Sequence, residues 1–276
     1  MATNIAFDVE VQDLEYGLGL LARVYQPKGT GPFLAMVDVH GGAWVNGDRT
    51  NNATVCQALA ERGVLVAALD FRQPPEAGYP ASIADVNLGI RWLKANAAKF
   101  HGSSAVGAWG NSSGGHIVVL AGLRPQDPRY SERPLNDYPE VDARLSYVIS
   151  GWPVIDPLYR YQNVALATNN QGQISAHQRY WGTEEAMAEG NPCNIVDSDE
   201  SIDLPPILYI LKQGDQNHPL AMQERFIAGY RKRGGSIQVE TFSGLPEHGM
   251  EVSAGVPDSL RVIDLMVEFA SKDGRS

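Results

Sequence analysis

The sequence predicts an α/β protein in which a mostly parallel sheet carries helices on both faces. Three observations predict it. Short apolar runs such as "FLAMVDVHGG" (33–42) and "VLVAALDFR" (64–72) have the length and composition of strands buried on both sides. Between such runs lie segments with apolar residues every three or four positions; Ile83, Val86, Ile90, Leu93 and Ala97 share one helical face within 81–100. The two patterns alternate along most of the chain, as βαβ units do.

The elements follow in order. "IAFDVEVQ" (5–12) and "LGLLARVYQP" (18–27) alternate in part across a short acidic turn and predict an antiparallel hairpin at one sheet edge. The strand at 33–42 ends in glycines. A helix over 52–63 is stopped by Gly63, and a strand follows at 64–72. Pro80 opens the helix at 81–100. "SAVGAWG" (104–110) is a strand, with a helix beginning near Ser113. Further strands are expected at 145–154, 205–214 and 236–244, and helices at 219–235 and 259–272. The total is about eight strands. Residues 124–143 form a Pro-rich surface loop. Residues 155–204 break the rhythm and are too long for a plain connection, so they are expected to form a small, partly helical cap or lid on a single domain spanning 1–276.

Bulk properties narrow the function. The 276 residues carry 22 basic and 32 acidic side chains, a net charge of −10, which argues against nucleic acid as a partner. An anionic substrate would need a local basic pocket to overcome that field. Cys56 and Cys193 have no metal-like spacing and are expected as free thiols in a reducing compartment. The N-terminal residues do not have the pattern of a signal peptide, and no apolar run approaches membrane-spanning length. A cytoplasmic protein with no membrane partner is expected; a homodimer is compatible with the sequence.

The joint between the strand at 104–110 and the next helix reads G-N-S-S-G, with Ser112 at its centre. A nucleophilic hydroxyl must be reachable while its backbone stays fixed. A tight strand-to-helix turn achieves this only if the residues two before and two after it are small, here Gly110 and Gly114. The following helix points its amino end at the site, and the N–H of Ser113 is a candidate oxyanion donor. Gly41 and Gly42, after the strand at 33–42, let backbone amides approach an acyl oxygen and are the other candidate donors. His40 and His116 are expected to shape the loop and pack the helix, respectively.

A serine nucleophile needs a base, and the base needs an orienting carboxylate. Asp215 follows the strand at 205–214, and His248 lies in a Gly/Pro loop after the next strand; the order nucleophile, acid, base favours this pair. Asp156 is the competing acid. His218 is the competing base and is expected at the rim, because it would have to fold back on its own helix entry. Trp44, Trp152, Tyr159 and Trp181 are candidates for lining an acyl pocket, against the plainer expectation that such aromatics pack the cap onto the sheet. Arg160 and Arg179 could meet a substrate carboxylate, against the plainer expectation that they are solvated surface residues. No metal-binding cluster is visible, and GNSSGG lacks the lysine of a phosphate loop.

Together, HGGAW (40–44), GD (47–48), DFR (70–72), GNSSGG (110–115), GD (214–215) and EHG (247–249) resemble the α/β-hydrolase superfamily. The chain is similar to its hormone-sensitive-lipase-like esterases and to the related arylformamidase (kynurenine formamidase) and feruloyl-esterase-like proteins. The resemblance runs from about residue 33 to the C-terminus. It implies an α/β-hydrolase fold with Ser112 as nucleophile, Asp215 as acid and His248 as base, and Gly41, Gly42 and Ser113 at the oxyanion positions. It also implies a cofactor-free serine hydrolase acting on a small-molecule acyl substrate, a carboxylic ester ahead of an amide, formamide or lactone. A non-catalytic ligand-binding relative is the alternative of another class. Ala43 stands where a third glycine is usual, Asn111 where an aspartate is common, and "QNHP" follows Asp215 in place of a more apolar segment.

Overall fold

The computed structural model describes residues 6–245, 250, 252 and 256–274. Its strands are β1 (Val9–Gly17), β2 (Leu20–Pro27), β3 (Phe33–Val39), β4 (Val64–Leu69), β5 (Gly102–Asn111), β6 (Val148–Gly151), β7 (Ile207–Lys212) and β8 (Ile237–Phe242). They form one sheet in the order β1-β2-β4-β3-β5-β6-β7-β8. The opening hairpin is the antiparallel edge, and every pair from β4 to β8 is parallel. The chain places β4 on one side of β3 and β5 on the other, so the crossovers diverge there. Ligands of open α/β sheets sit outside the carboxyl ends of strands at such a reversal. Val39 and Gly110 are register partners at that edge, which sets the loop after β3 beside the turn after β5.

Helices α1 (Ala53–Ala60), α2 (Ala81–Asn96) and α3 (Ser113–Leu123) follow β3, β4 and β5. Between β6 and β7 come α4 (Pro157–Arg160), a π-helical turn (Tyr161–Leu166), α5 (Gln171–Trp181), α6 (Glu184–Glu189) and α7 (Pro192–Asp197). α8 (Leu220–Lys232) follows β7, and α9 (Pro257–Asp273) follows β8.

Strand alternation divides the core. Ala35, Val37, Leu65 and Ala67 face α2, α3 and α8 through Ile83, Ile90, Ile117 and Phe226. Met36, Val64, Val66 and Trp109 face α1 and α9 through Leu59, Val262 and Met266. All six residues of β4 are buried, which accounts for its unbroken apolar sequence.

The DFR motif has a structural role. In DFR, the Asp70 carboxylate accepts from the Arg49 backbone N–H and from its guanidinium, at 2.9 and 2.8 Å. Arg72 grips the fully buried Asp85 on α2 with its Nε and Nη2. The helices inserted between β6 and β7 start at residues whose side chains accept a backbone N–H of the first turn: Asp156 from Tyr159, Asn170 from Gln173, Thr183 from Ala186 and Asn191 from Cys193. These caps define short helices where propensity alone is weak.

Candidate active site

Ser112 makes the joint between β5 and α3 alone, at φ 53° and ψ −119°. Such a conformation costs a non-glycine residue on the order of 1–3 kcal/mol and persists only where the surroundings hold it. Here they do. Its N–H donates to Gly151 O at 2.9 Å, and its carbonyl accepts from Val154 and His116 N–H groups, each at 3.1 Å. The flanking glycines are required by contact: a Cβ on Gly110 would lie 2.5 Å from Gly114 O, and one on Gly114 would lie 2.0 Å from Val39 O. The Ser112 side chain stays partly exposed between the buried Asn111 and Ser113.

The loop after β3 crosses in front of this turn. Gly41 lies close enough that an added Cβ would be 3.4 Å from Ser112 Cβ. Gly42, Ala43 and Trp44 all take positive φ (118°, 52° and 65°), so Ala43 adopts a backbone suited to the glycine it replaces. His40 shapes this loop: its ring stacks on Phe71 with centroids 4.4 Å apart, and Nδ1–H donates to Gly41 O at 2.6 Å. His116 is a packed helix residue, donating from Nε2 to Gly190 O at 2.8 Å.

Asp215 stands just past β7. Its Oδ1 accepts the backbone N–H groups of Asn217 and His218, at 2.8 and 3.1 Å. That turn reverses the chain so that the His218 ring comes back onto the same carboxylate. Nδ1–H of His218 donates to Asp215 Oδ2 at 2.7 Å, leaving Nε2 to accept from the Ser112 hydroxyl at 3.3 Å. The expectation that His218 sits at the rim is therefore corrected: it is 9% exposed and joins Asp215 to Ser112. Burial lowers the His218 pKa below the usual histidine value, with Arg160 and Lys212 adding to this and the Asp215 contact opposing it. Burial alone would raise Asp215, but the bond from His218 and the two backbone donors hold it below the ordinary carboxylate range. His248 and Glu247 lie outside the described residues. Asp156 is occupied elsewhere, capping α4 and bonding Asn191 and Arg225 at 2.6 and 2.9 Å.

A cavity of about 340 Å³ opens on Ser112, bordered by Gly41, Gly42, Asn52, Trp152, Arg160 and His218. Asn51, Asn111, Gln173 and Asn217 complete its wall. A second, of about 440 Å³, lies across Trp152 and His218 toward Leu211 and Leu220. Of the four aromatics proposed for the pocket, Trp152 borders both. Trp44 and Trp181 do not border these cavities; they are 1% and 4% exposed, in a cluster with Tyr180, His116 and His177. Tyr159 is exposed on α4 and likewise borders neither.

The expectation that Arg160 is a solvated surface residue is corrected: it is 5% exposed, in the cavity wall. Arg179 is exposed as expected. Within the wall, Asn52 Nδ2 donates to both Asp38 Oδ1 (2.8 Å) and Asn111 Oδ1 (3.1 Å), linking β3 to the residue before the turn. Among the described residues no group of three or more His, Cys, Asp or Glu side chains is arranged to hold a metal ion. No described helix is long and apolar enough to cross a membrane.

An eight-stranded, mostly parallel sheet with helices on both faces, and a serine alone at a strand-to-helix joint, define an α/β-hydrolase fold. The chain belongs to the BD-FAE family, whose sequence profile matches residues 23–225. It is 38% identical to esterase LipC of Mycobacterium tuberculosis over 117 residues, 41% of this chain and 29% of LipC. It is 28% identical to the versiconal hemiacetal acetate esterase of Dothistroma septosporum over 176 residues, 62% of this chain and 52% of that enzyme. The matches thus span between about a third and a half of the lengths of these relatives. Esterase B from Lactobacillus rhamnosis (HN001) superposes with a TM-score of 0.76 at 21% identity, covering 97% of this chain and 87% of that one. A thermophilic esterase of Thermogutta terrifontis superposes at 0.73, with 21% identity and coverage of 98% and 93%. At these identities the structural likeness speaks for the fold.

Proposed function

We propose that the protein is a serine hydrolase that cleaves a small carboxylic ester through an acyl-enzyme, with Ser112 as nucleophile. The observation that carries this is the continuous path from Asp215 through His218 to Ser112, with distances of 2.7 and 3.3 Å. The base takes the Ser112 proton as the oxygen attacks the carbonyl carbon. The carboxylate of Asp215 holds the imidazole and stabilises its charged form. Amides of Gly41, Gly42 and Ser113 receive the oxyanion. The protonated base then gives its proton to the leaving alcohol, and water activated by the same base releases the acid. No cofactor enters this scheme. The helices of 155–204 serve as a cap, supported by Arg160 and Gln173 reaching the cavity from α4 and α5. The names of the relatives favour an ester over an amide, formamide or lactone. The buried, unpaired Cys56 and Cys193 support a reducing compartment such as the cytoplasm.

His218 is the base in this reading. A second reading keeps His248 as the base, with His218 holding Asp215 meanwhile. It is favoured by the nucleophile–acid–base chain order and by the position of His248 after β8, the strand paired with β7.

The test is labelling by a fluorophosphonate and hydrolysis of a short nitrophenyl ester, beside an N-formyl arylamine. Labelling is expected in the native protein and lost in Ser112→Ala. Its absence from the native protein would instead favour a non-catalytic ligand binder. His218→Gln is expected to lose roughly 10²–10⁴-fold in rate. If His248→Gln takes that loss and His218→Gln does not, the second reading stands.

A further inference from the structure

We propose that Arg160 makes the cavity at Ser112 a receptor for an ester carrying a free carboxylate at the end remote from the scissile bond. The inference rests on the reading of Ser112 as the nucleophile of an ester hydrolase. Arg160 lies in α4, at the start of the segment between β6 and β7, and borders the same cavity as Ser112, Gly41 and His218. It is 5% exposed, yet forms no ion pair among the described residues. Its Nε donates to Asn217 O at 3.1 Å, while Nη1 is buried without a hydrogen-bond partner.

A guanidinium so deeply buried is costly unless an anion meets it. The neighbouring carboxylates are already engaged. Asp156 serves Tyr159, Asn191 and Arg225, and Asp215 serves His218 and two backbone N–H groups. Burial lowers the Arg160 pKa to about 10, which leaves the group cationic at neutral pH. Asp215 lies close enough to offset part of that cost but makes no ion pair with Arg160, and the substrate's carboxylate supplies one.

The chemistry favours a planar carboxylate, which the guanidinium fork fits. Gln173 borders the same cavity, and its Oε1 is buried without a hydrogen-bond partner. That oxygen suits a hydroxyl or N–H on the ligand. With a net charge of −10, the protein as a whole repels anions, so a buried cation at this position acts as a local selectivity device.

The experiment compares monoethyl adipate with ethyl hexanoate by proton release, in the native protein and in Arg160→Gln. The native kcat/KM ratio of anionic to neutral ester is expected to exceed that of the variant by tenfold or more, the scale of a charge-assisted hydrogen bond. A second arm needs no change at Arg160: calorimetric binding of monoethyl adipate, its amide ethyl adipamate and inorganic phosphate to Ser112→Ala. Monoethyl adipate is expected to bind at least tenfold more tightly than either of the others. Equal turnover of the two esters together with equal binding of monoethyl adipate and ethyl adipamate would overturn the carboxylate site and leave the hydrolase intact. Phosphate binding as tightly as monoethyl adipate would replace it with a general anion site. Turnover of neither ester, with monoethyl adipate still preferred in binding, would defeat the hydrolase reading and keep the anion site.

Discussion

His218 and Asp215 are three residues apart, and the carboxylate of the one holds both the backbone N–H and the ring Nδ1–H of the other, at 3.1 and 2.7 Å. The turn that binds the backbone also fixes the tautomer, because Nδ1 must carry the proton and Nε2 is left facing Ser112. Orientation of the imidazole and of the loop is thus one event.

The first consequence concerns pH. Burial keeps the His218 pKa below the ordinary histidine value of about 6.5. A general base works unprotonated, so activity is lost as pH falls through that lowered value. The acid limb of the kcat/KM profile is expected below about pH 6.5. A limb well above it would point to a different histidine.

The glycines of the turn predict a graded series. A Cβ on Gly114 would lie 2.0 Å from Val39 O and 2.5 Å from His40 O, both backbone atoms that cannot swing away. On Gly115 it would come no nearer than 3.0 Å, to Pro153 Cβ and Ser150 Oγ. Gly114→Ala is expected to cost at least the roughly 1–3 kcal/mol of ordinary overpacking and to abolish fluorophosphonate labelling. Gly115→Ala is expected to lower Tm less and to keep labelling. Thermal melts with parallel labelling check this order.

Asp38 lies behind the site, where burial pushes its pKa up to about 7 against the stabilising Asn52 amide and Cys56 thiol. Between the unfolded value near 3.9 and about 7, the folded chain keeps a proton that the unfolded chain releases, so this residue makes stability fall as pH rises through that window. Asp38→Asn removes the dependence and keeps an acceptor for Asn52. The variant's stability relative to the native protein is expected to rise between pH 4 and 8, by up to about 4 kcal/mol. Parallel denaturation curves at both pH values would show that Asp38 ionises normally.

These sites differ in how far the sequence reveals them. The strands and the Ser112 joint were legible because burial on both sides imposes unbroken apolar runs, and because close backbone approach admits only glycine. The role of His218 was hidden by reasoning strand end by strand end, which looks for partners far apart along the chain. A local signal existed: Asp-Gln-Asn-His-Pro is a turn in which an aspartate accepts N–H groups two and three residues on. Arg160 carried no such signal. Its four-residue helix has no periodicity, and a π-helical turn follows it, so burial there is decided by tertiary packing alone.

Trp44 separates packing from substrate binding most cleanly. Its ring stacks on Tyr180 with centroids 5.3 Å apart, meets the edges of His116, His177 and Trp181, and donates from Nε1 to His116 Nδ1 at 3.3 Å. It therefore clamps the loop of Gly41 and Gly42 to α5, away from the cavity. Trp44→Ala is expected to cost about 3–5 kcal/mol. Trp44→Phe, which keeps a ring and loses the N–H, is expected to cost about 0.5–1.5 kcal/mol for the lost hydrogen bond. Because the ring does not border either cavity at the site, Trp44→Phe should leave the ranking of esters by acyl length as it is. Trp152→Phe, at the wall shared by both cavities, should reorder it. A hydrolysis series from acetate to octanoate esters, run on both variants, checks the contrast; a reordering by Trp44→Phe alone would return that residue to the acyl pocket.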